Sequence, residues 1–338
     1  MSRPCASRHP EQLVQRVNEL FHDYVNADYH EALPEIFELE RDRWRALARD
    51  YLAPRPGPAT AAPRTIMELG TGTGFVPLTI APLLLPSDSF ICTDLSQGIL
   101  DVARRNLEAA PAMTRPCRFE FLKIERAVPL RLPAASASID AILMNSVLHH
   151  VGDTDAFLCE IDRVLKPGGR VIIAHEPNRY FYEHPLLMAN WRLLHAIFNF
   201  RWVVIAVGRR WGVLGPLRRL YYLFRPGLRG QMGAKERYLE QLAAHLNERL
   251  LAEGLVARPL SSQAILDLVD VRAGEGFHPD RLLPDWRLLH LETYHHLFWV
   301  TVYHHRRRFV RRFDGWLARR FPRSGATFAV VYEKPPVA

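Results

Sequence analysis

Between residues 65 and 176 the chain alternates two patterns. Short runs are apolar at almost every position, and longer stretches return an apolar residue every three or four. The runs "TIMEL" (65–69), "SFICTDLS" (89–96), "RFEFLKI" (118–124), "SIDAILMNSV" (138–147) and "RVIIAHE" (170–176) are too short for buried helices and predict five strands. Between them, "FVPLTIAPLL" predicts a helix with Pro77 near its start. "SQGILDVARRNLEAA" predicts another, with Ser96 as N-cap, and "DTDAFLCEIDRVL" a third, capped by Asp153 and closed by "KPGG". Strands without a polar face, alternating with helices, predict a mainly parallel sheet covered on both sides.

The flanks read differently. In "EQLVQRVNELFHDYV", Leu13, Val17, Leu20 and Phe21 share one helical face, and a second helix follows Pro34. Residues 53–64, "APRPGPATAAPR", form a linker that ends it. After residue 176 the rhythm breaks into aromatic- and arginine-rich segments, with one well-marked helix, "GAKERYLEQLAAHLNERLLAEGL". Strand character returns in "WRLLHLETYHHLFWVTV" and in "ATFAVVYEK", with the helix "RRRFVRRFDGWLARRF" between them. The expected organisation is a helical cap and linker (1–64), a core (65–176), a helical insertion (177–285) and terminal strands that complete the sheet (286–338).

The turn after the first strand reads Glu68-Leu69-Gly70-Thr71-Gly72-Thr73-Gly74-Phe75. A dinucleotide fingerprint, G-x-G-x-x-G, would place its third glycine where Phe75 stands. Glu68 at the strand end would repel a pyrophosphate and suit a cation. Asp94, closing the second strand, is placed to accept the hydroxyls of a ribose. Together these two acids favour an adenosine ligand that is cationic and carries no phosphates; an NAD-dependent oxidoreductase is the competing reading.

On these residues the chain resembles the class I S-adenosylmethionine (SAM)-dependent methyltransferases, particularly the small-molecule branch that includes quinone-biosynthesis enzymes. "ELGTGTG" resembles the first motif and "TDLS" the ribose-binding acid; "NSVLHHV" and "RVLKPGGRVIIAHEPN" resemble the later core motifs. The resemblance implies a seven-stranded Rossmann-like methyltransferase sheet with helices on both faces, its last strand antiparallel, and a large mainly helical insertion before the last two strands. It implies SAM as cofactor, with Gly70, Thr71, Gly72 and Gly74 at the methionine tail, Glu68 toward its ammonium, Asp94 on the ribose and Leu95 on the adenine. Asn145 and Ser146 would line the methionine portion, and Tyr29, with Tyr24, would cap the cofactor. The third strand lacks the family's aspartate, leaving Glu125 or the Ile124 amide for the adenine. An alternative is a SAM-binding regulatory or partner protein without turnover.

Methyl transfer to a hydroxyl asks for a general base. His149, His150 and Glu176, at the ends of the fourth and fifth strands, are the catalytic candidates, with His175 beside them and His149 first. No metal site is expected: Cys5, Cys92, Cys117 and Cys159 are scattered without ligand spacing, which also makes a reducing cytoplasm the expected setting. The formal charge of +8 changes the picture only through its distribution. Residues 201–230 hold seven arginines and no acid among aromatics, and residues 306–323 hold eight arginines against Asp314. A solvated lid over a lipophilic acceptor, contact with the inner face of an anionic membrane, and nucleic acid are the three readings. The last is least favoured, because the N-P-P-Y-type motif of nucleic-acid methyltransferases is missing at "MNSV".

Overall fold

The computed structural model describes residues 10–25, 34–52, 63–110, 117–189, 191–193, 228–272, 274–297 and 306–336. Two helices open the chain, α1 (Glu11–Val25) and α2 (Pro34–Tyr51). The core follows as β1 (Thr65–Leu69), α3 (Phe75–Ile80), β2 (Ser89–Asp94), α4 (Gln97–Ala109), β3 (Arg118–Lys123), β4 (Ile139–Asn145), α5 (Thr154–Val164) and β5 (Leu165–Pro177). Beyond it come α6 (Arg179–Glu183), α7 (Leu228–Ala252), α8 (Ser262–Val269), β6 (Arg287–Tyr294), α9 (Arg308–Arg320) and β7 (Thr327–Glu333).

The seven strands form one sheet in the order β3-β2-β1-β4-β5-β7-β6, parallel except for β7, which runs antiparallel to both neighbours. Both faces of the strands are apolar because both are covered. Met67, Met144, Ile173 and Val330 point into one cluster, closed by Phe157 and Ile161 of α5. Ile66, Leu143, Ile172 and Val331 point into the other, closed by Trp44 and Leu47 of α2 and Val76 of α3. Ser96 caps α4 by accepting from the Ile99 amide, and Asp153 caps α5 by accepting from Ala156, as the sequence indicates.

Three local expectations change. β5 begins at Leu165 rather than Arg170, because the glycine pair joins the ladder: Gly168 donates to the Lys334 carbonyl and Lys334 to Gly169. The buried side of α1 includes Gln15, Asn18 and Glu19 besides Val14, Val17 and Leu20, while Leu13 and Phe21 stay half-buried. The polar residues are there because α1 docks on backbone carbonyls: the Gln15 amide donates to Ala127 in a loop and that of Asn18 to Leu268 of α8. His295 and His296 lie beyond the end of β6 and both are buried, bonded to Thr327 and to the Phe321 carbonyl, so they do not alternate along a strand.

The chain divides into two compact units, 1–182 with 266–338, and 183–265. The interruption is narrower than residues 177–285, because both ends of that stretch belong to the core. Asn178 donates to the Arg323 and Gly325 carbonyls, and Phe277 and Leu283 enter the core cluster. Within the second unit, Leu242, Leu246 and Leu250 of α7 are buried, and Asn247 brackets the Leu260 backbone with both ends of its amide. The arginine-rich residues 201–227 lie outside the described residues.

Candidate functional site

In the strand order the direction of succession reverses between β1 and β4, and parallel strands there present their carboxyl ends side by side, which makes a crevice. A cleft of about 180 Å³ opens at this place. Its floor is the glycine turn after β1, held against β2 by the Thr71 amide on the Thr93 carbonyl (2.8 Å) and by the Thr93 hydroxyl on the Glu68 carbonyl (2.7 Å). Gly72 has φ +55°, and a Cβ on it would meet no atom within 4 Å, so a side chain would project into the open cleft. The bare backbone leaves that room for something else.

The charge pattern says what. Among the described residues that line the cleft are three carboxylates, Glu40, Glu68 and Asp94, and no lysine or arginine. Asp94 is buried, with one oxygen accepting from the Gly72 amide (3.0 Å) and the other from Ser96 (3.1 Å). The carboxylate keeps acceptor capacity for a hydroxyl. Burial raises the Asp94 carboxyl above its ordinary value, against the pull of His22 and these amides. Glu68 is buried beneath the turn, accepts from the Thr71 hydroxyl (2.8 Å), and is pushed well above 4.5, first by burial and then by Asp94. A cationic ligand would relieve that cost and a diphosphate would raise it. The residues present therefore fit a sulfonium nucleoside better than a dinucleotide.

At the β4–β5 end, Asn145 accepts from the Trp44 indole (2.8 Å). The indole only donates, so the Asn145 oxygen faces it and the amide nitrogen is left for the cleft. Consecutive residues of β5 then diverge at a bulge, where His175 has φ +59°. His175 lines the cleft, and its Nδ1 lies 3.1 Å from the Glu40 carboxylate. Burial would raise Glu40, but Arg43 and His175 hold it down at about 2. Glu176 turns the other way and is fully buried. One of its oxygens accepts from the Val147 and Leu148 amides (2.5 and 2.8 Å), the other from the His149 amide (3.2 Å) and sits 2.9 Å from His149 Nδ1. Burial would lower the His149 imidazole, yet the Glu176 charge and hydrogen bond raise it above 6.5. His150 lines the cleft, sets Nδ1 2.5 Å from the Val269 carbonyl, and is pushed well below 6.5 by burial.

Of the expected cofactor residues, Glu68, Gly70, Thr71, Gly72, Asp94, Leu95, Asn145 and Ser146 converge on the cleft. Gly74 does not: it precedes α3 with φ +90° and faces Ala103 of α4. Glu125 is corrected too, being exposed and outside the cleft. The Ile124 amide is already bonded to the Asp94 carbonyl (2.8 Å), so this segment offers the cleft the apolar Ile124 side chain. Tyr29 lies outside the described residues, and Tyr24 is not among the lining residues. Glu176 is corrected from a base that meets the acceptor to a buried anchor, since both its oxygens are committed. Sequence reasoning missed Asn18, His22 and Glu40, which helices α1 and α2 bring to the cleft. Their only signal is polar residues falling on the inward side of amphipathic helices.

Residues 67–173 match the family "Methyltransferase domain". The chain is 28% identical to a demethylmenaquinone methyltransferase of Symbiobacterium thermophilum, over 60% of this chain and 74% of that protein. It is 30% identical to one of Lactococcus lactis, over 47% of this chain but only 57% of the relative's length. A solved SAM-dependent methyltransferase from Aquifex aeolicus is similar at 17% identity and TM-score 0.33, over 49% of this chain and 73% of that one.

Proposed function

Because the core of this chain is a class I SAM-dependent methyltransferase domain, we propose that the protein methylates a lipophilic or aromatic small molecule, with His149 as general base. The observation that carries the catalytic part is the His149–Glu176 pair. Glu176 accepts the Nδ1 proton, so the tautomer leaves the Nε2 lone pair as the basic site. Its charge also makes the imidazole a stronger base than an isolated histidine. The three backbone amides on Glu176 fix the loop after β4, which holds the ring in place beside the cleft that Val147 and His150 line, His149 itself not being among the lining residues.

When bound, SAM supplies a methyl group activated by the sulfonium. The chain's own residues hold and orient: Asp94 accepts from the ribose, Glu68 balances the positive charge, and Asn145 offers its amide nitrogen, while Glu40 is already paired with Arg43 (2.6 Å). Leu69, Val76, Val147 and Phe157 exclude water around them. The acceptor class rests on two supports. The cleft wall is largely apolar, and relatives carry names such as demethylmenaquinone methyltransferase and, in Pyrenophora dematioidea, O-methyltransferase.

The test is radiolabelled methyl transfer from SAM to a panel of demethylated quinones and phenols, alongside titration with S-adenosylhomocysteine. His149→Ala should abolish most turnover on a hydroxyl acceptor while leaving S-adenosylhomocysteine affinity within a few-fold. Tight S-adenosylhomocysteine binding with no product on any acceptor would favour a binding protein without turnover.

A further inference from the structure

Helix α9 does not behave like a surface helix whose only task is to cover the core. It buries Val310 and Leu317, and its one acid, Asp314, turns toward the Leu297 amide (3.1 Å). One turn around, Phe309, Phe313 and Trp316 remain 66%, 49% and 51% exposed, at i, i+4 and i+7. Phe313 and Trp316 stack on each other, centroids 5.8 Å apart and rings within 7° of parallel, so they present one slab of hydrocarbon to water. Beside this slab, Arg308, Arg311, Arg312 and Arg319 line a shallow groove with Trp316. Arg306 and Arg323 are paired with Glu38 and Asp280, but among the described residues these four have no carboxylate partner. Such a face is unfavourable in water. It becomes favourable where hydrocarbon and phosphate meet.

We propose that α9 is an interfacial anchor, which seats Phe309, Phe313 and Trp316 at the headgroup–acyl boundary of an anionic lipid bilayer while the arginine groove takes lipid phosphates. Charge complementarity chooses the lipid surface: four guanidinium groups with no carboxylate partner among the described residues call for anions, and the adjoining aromatic slab needs an apolar phase. A nucleic acid would satisfy the first need, but Phe313 and Trp316 spend their facing surfaces on each other rather than leaving a slot for a base. No helix among the described residues is long and apolar enough to cross a membrane. It extends beyond the enzymatic reading and can be measured without turnover.

Co-sedimentation of the full chain with vesicles tests it. Vesicles of phosphatidylcholine mixed with phosphatidylglycerol should bind the protein, phosphatidylcholine alone should bind it weakly, and added salt should weaken both the binding and the difference. Arg311→Gln, Arg312→Gln and Arg319→Gln together should lower anionic-vesicle affinity by about fivefold for each arginine. Phe309→Ser with Phe313→Ser and Trp316→Ser should lower it by about tenfold or more. Trp316→Ser alone serves if the triple variant does not fold. Retained S-adenosylhomocysteine binding reports that each variant is folded. Equal binding to neutral and anionic vesicles overturns the proposal, as does unchanged binding by the aromatic variants. Duplex nucleic acid that binds more tightly than vesicles, whether or not the aromatics are present, reassigns the groove and overturns it as well.

Discussion

Replacing Glu176 with Gln probes the catalytic reading most sharply, because the structure says what each atom loses. Glu176 receives four donors, two on each oxygen: the Val147 and Leu148 amides on one, the His149 amide and Nδ1 on the other. A glutamine has one acceptor oxygen and one donating nitrogen, so one pair must be sacrificed. Turning its nitrogen toward Val147 and Leu148 would strand two backbone donors. Turning it toward His149 strands one, because the imidazole can change tautomer and accept at Nδ1. The second orientation wins, at about 1–3 kcal/mol for the single buried amide left unpaired. That tautomer places the proton on Nε2, where the base should be empty. Turnover should therefore fall by roughly 10²–10⁴, the usual contribution of a positioned base. Urea unfolding should show a lower midpoint at unchanged slope, and steady-state kinetics with S-adenosylhomocysteine titration should show loss in kcat with cofactor affinity little changed. Wild-type turnover in a destabilised Glu176→Gln protein would refute the pair as catalytic. So would a loss of turnover matched by an equal loss of S-adenosylhomocysteine binding.

The remaining expectations concern charge. His149 is raised above 6.5, so kcat on a hydroxyl acceptor should climb as pH passes that raised value, and a His149→Gln protein should show no such limb. In folding, the same shift stabilises below 6.5 and is lost as pH rises through the folded value, so pH-dependent melting of His149→Gln should lack that decline. Glu68 has the opposite consequence of a raised value: above 4.5 the unfolded chain releases its proton first, so stability falls as pH rises toward the folded value. Glu68→Gln should remove this fall and raise the melting temperature at neutral pH, while weakening S-adenosylhomocysteine by about tenfold or more, as for a lost charged hydrogen bond. His175 lines the cleft beside Ser146, whose hydroxyl donates to its carbonyl (3.1 Å), so with Ser146 along the methionine portion His175→Gln should weaken S-adenosylhomocysteine by about tenfold yet leave methylthioadenosine, which lacks the amino-acid tail, unchanged. Equal weakening of both ligands would show that His175 only shapes the cleft.

Much of the sheet was legible because its strands are buried on both faces, which leaves an unbroken apolar run with sharp polar ends. Ala141–Met144 and Phe328–Val331, buried at every position, show this directly. Boundaries failed where backbone pairing overrode the local signal, as when Gly168 and Gly169 joined the β5 ladder against the turn chemistry of Pro-Gly-Gly. His295 and His296 failed for a related reason. Period two continues through "YHH" in the sequence, but the backbone leaves the strand at His295 with φ +60°.

The site divides along the same line between local and distant information. Residues within one strand–turn–helix unit, Glu68 through Gly72 with Asp94, could be read from spacing, because the turn that exposes them is encoded beside them. Glu40 and His22 could not, since what brings them to the cleft is the docking of two helices on a sheet whose strands follow later in the chain. Glu176 shows why residue type alone misleads. A carboxylate at a strand end near a histidine reads as an acid–base candidate, and only the three backbone amides converging on it reveal that its charge is already spent. That commitment is also what makes His149 credible as a base. A carboxylate free to meet solvent could leave the imidazole, whereas one locked by the loop it organises cannot move without unfolding that loop. Positioning and stability at this place are therefore one property, and the two should fall together when Glu176 is changed.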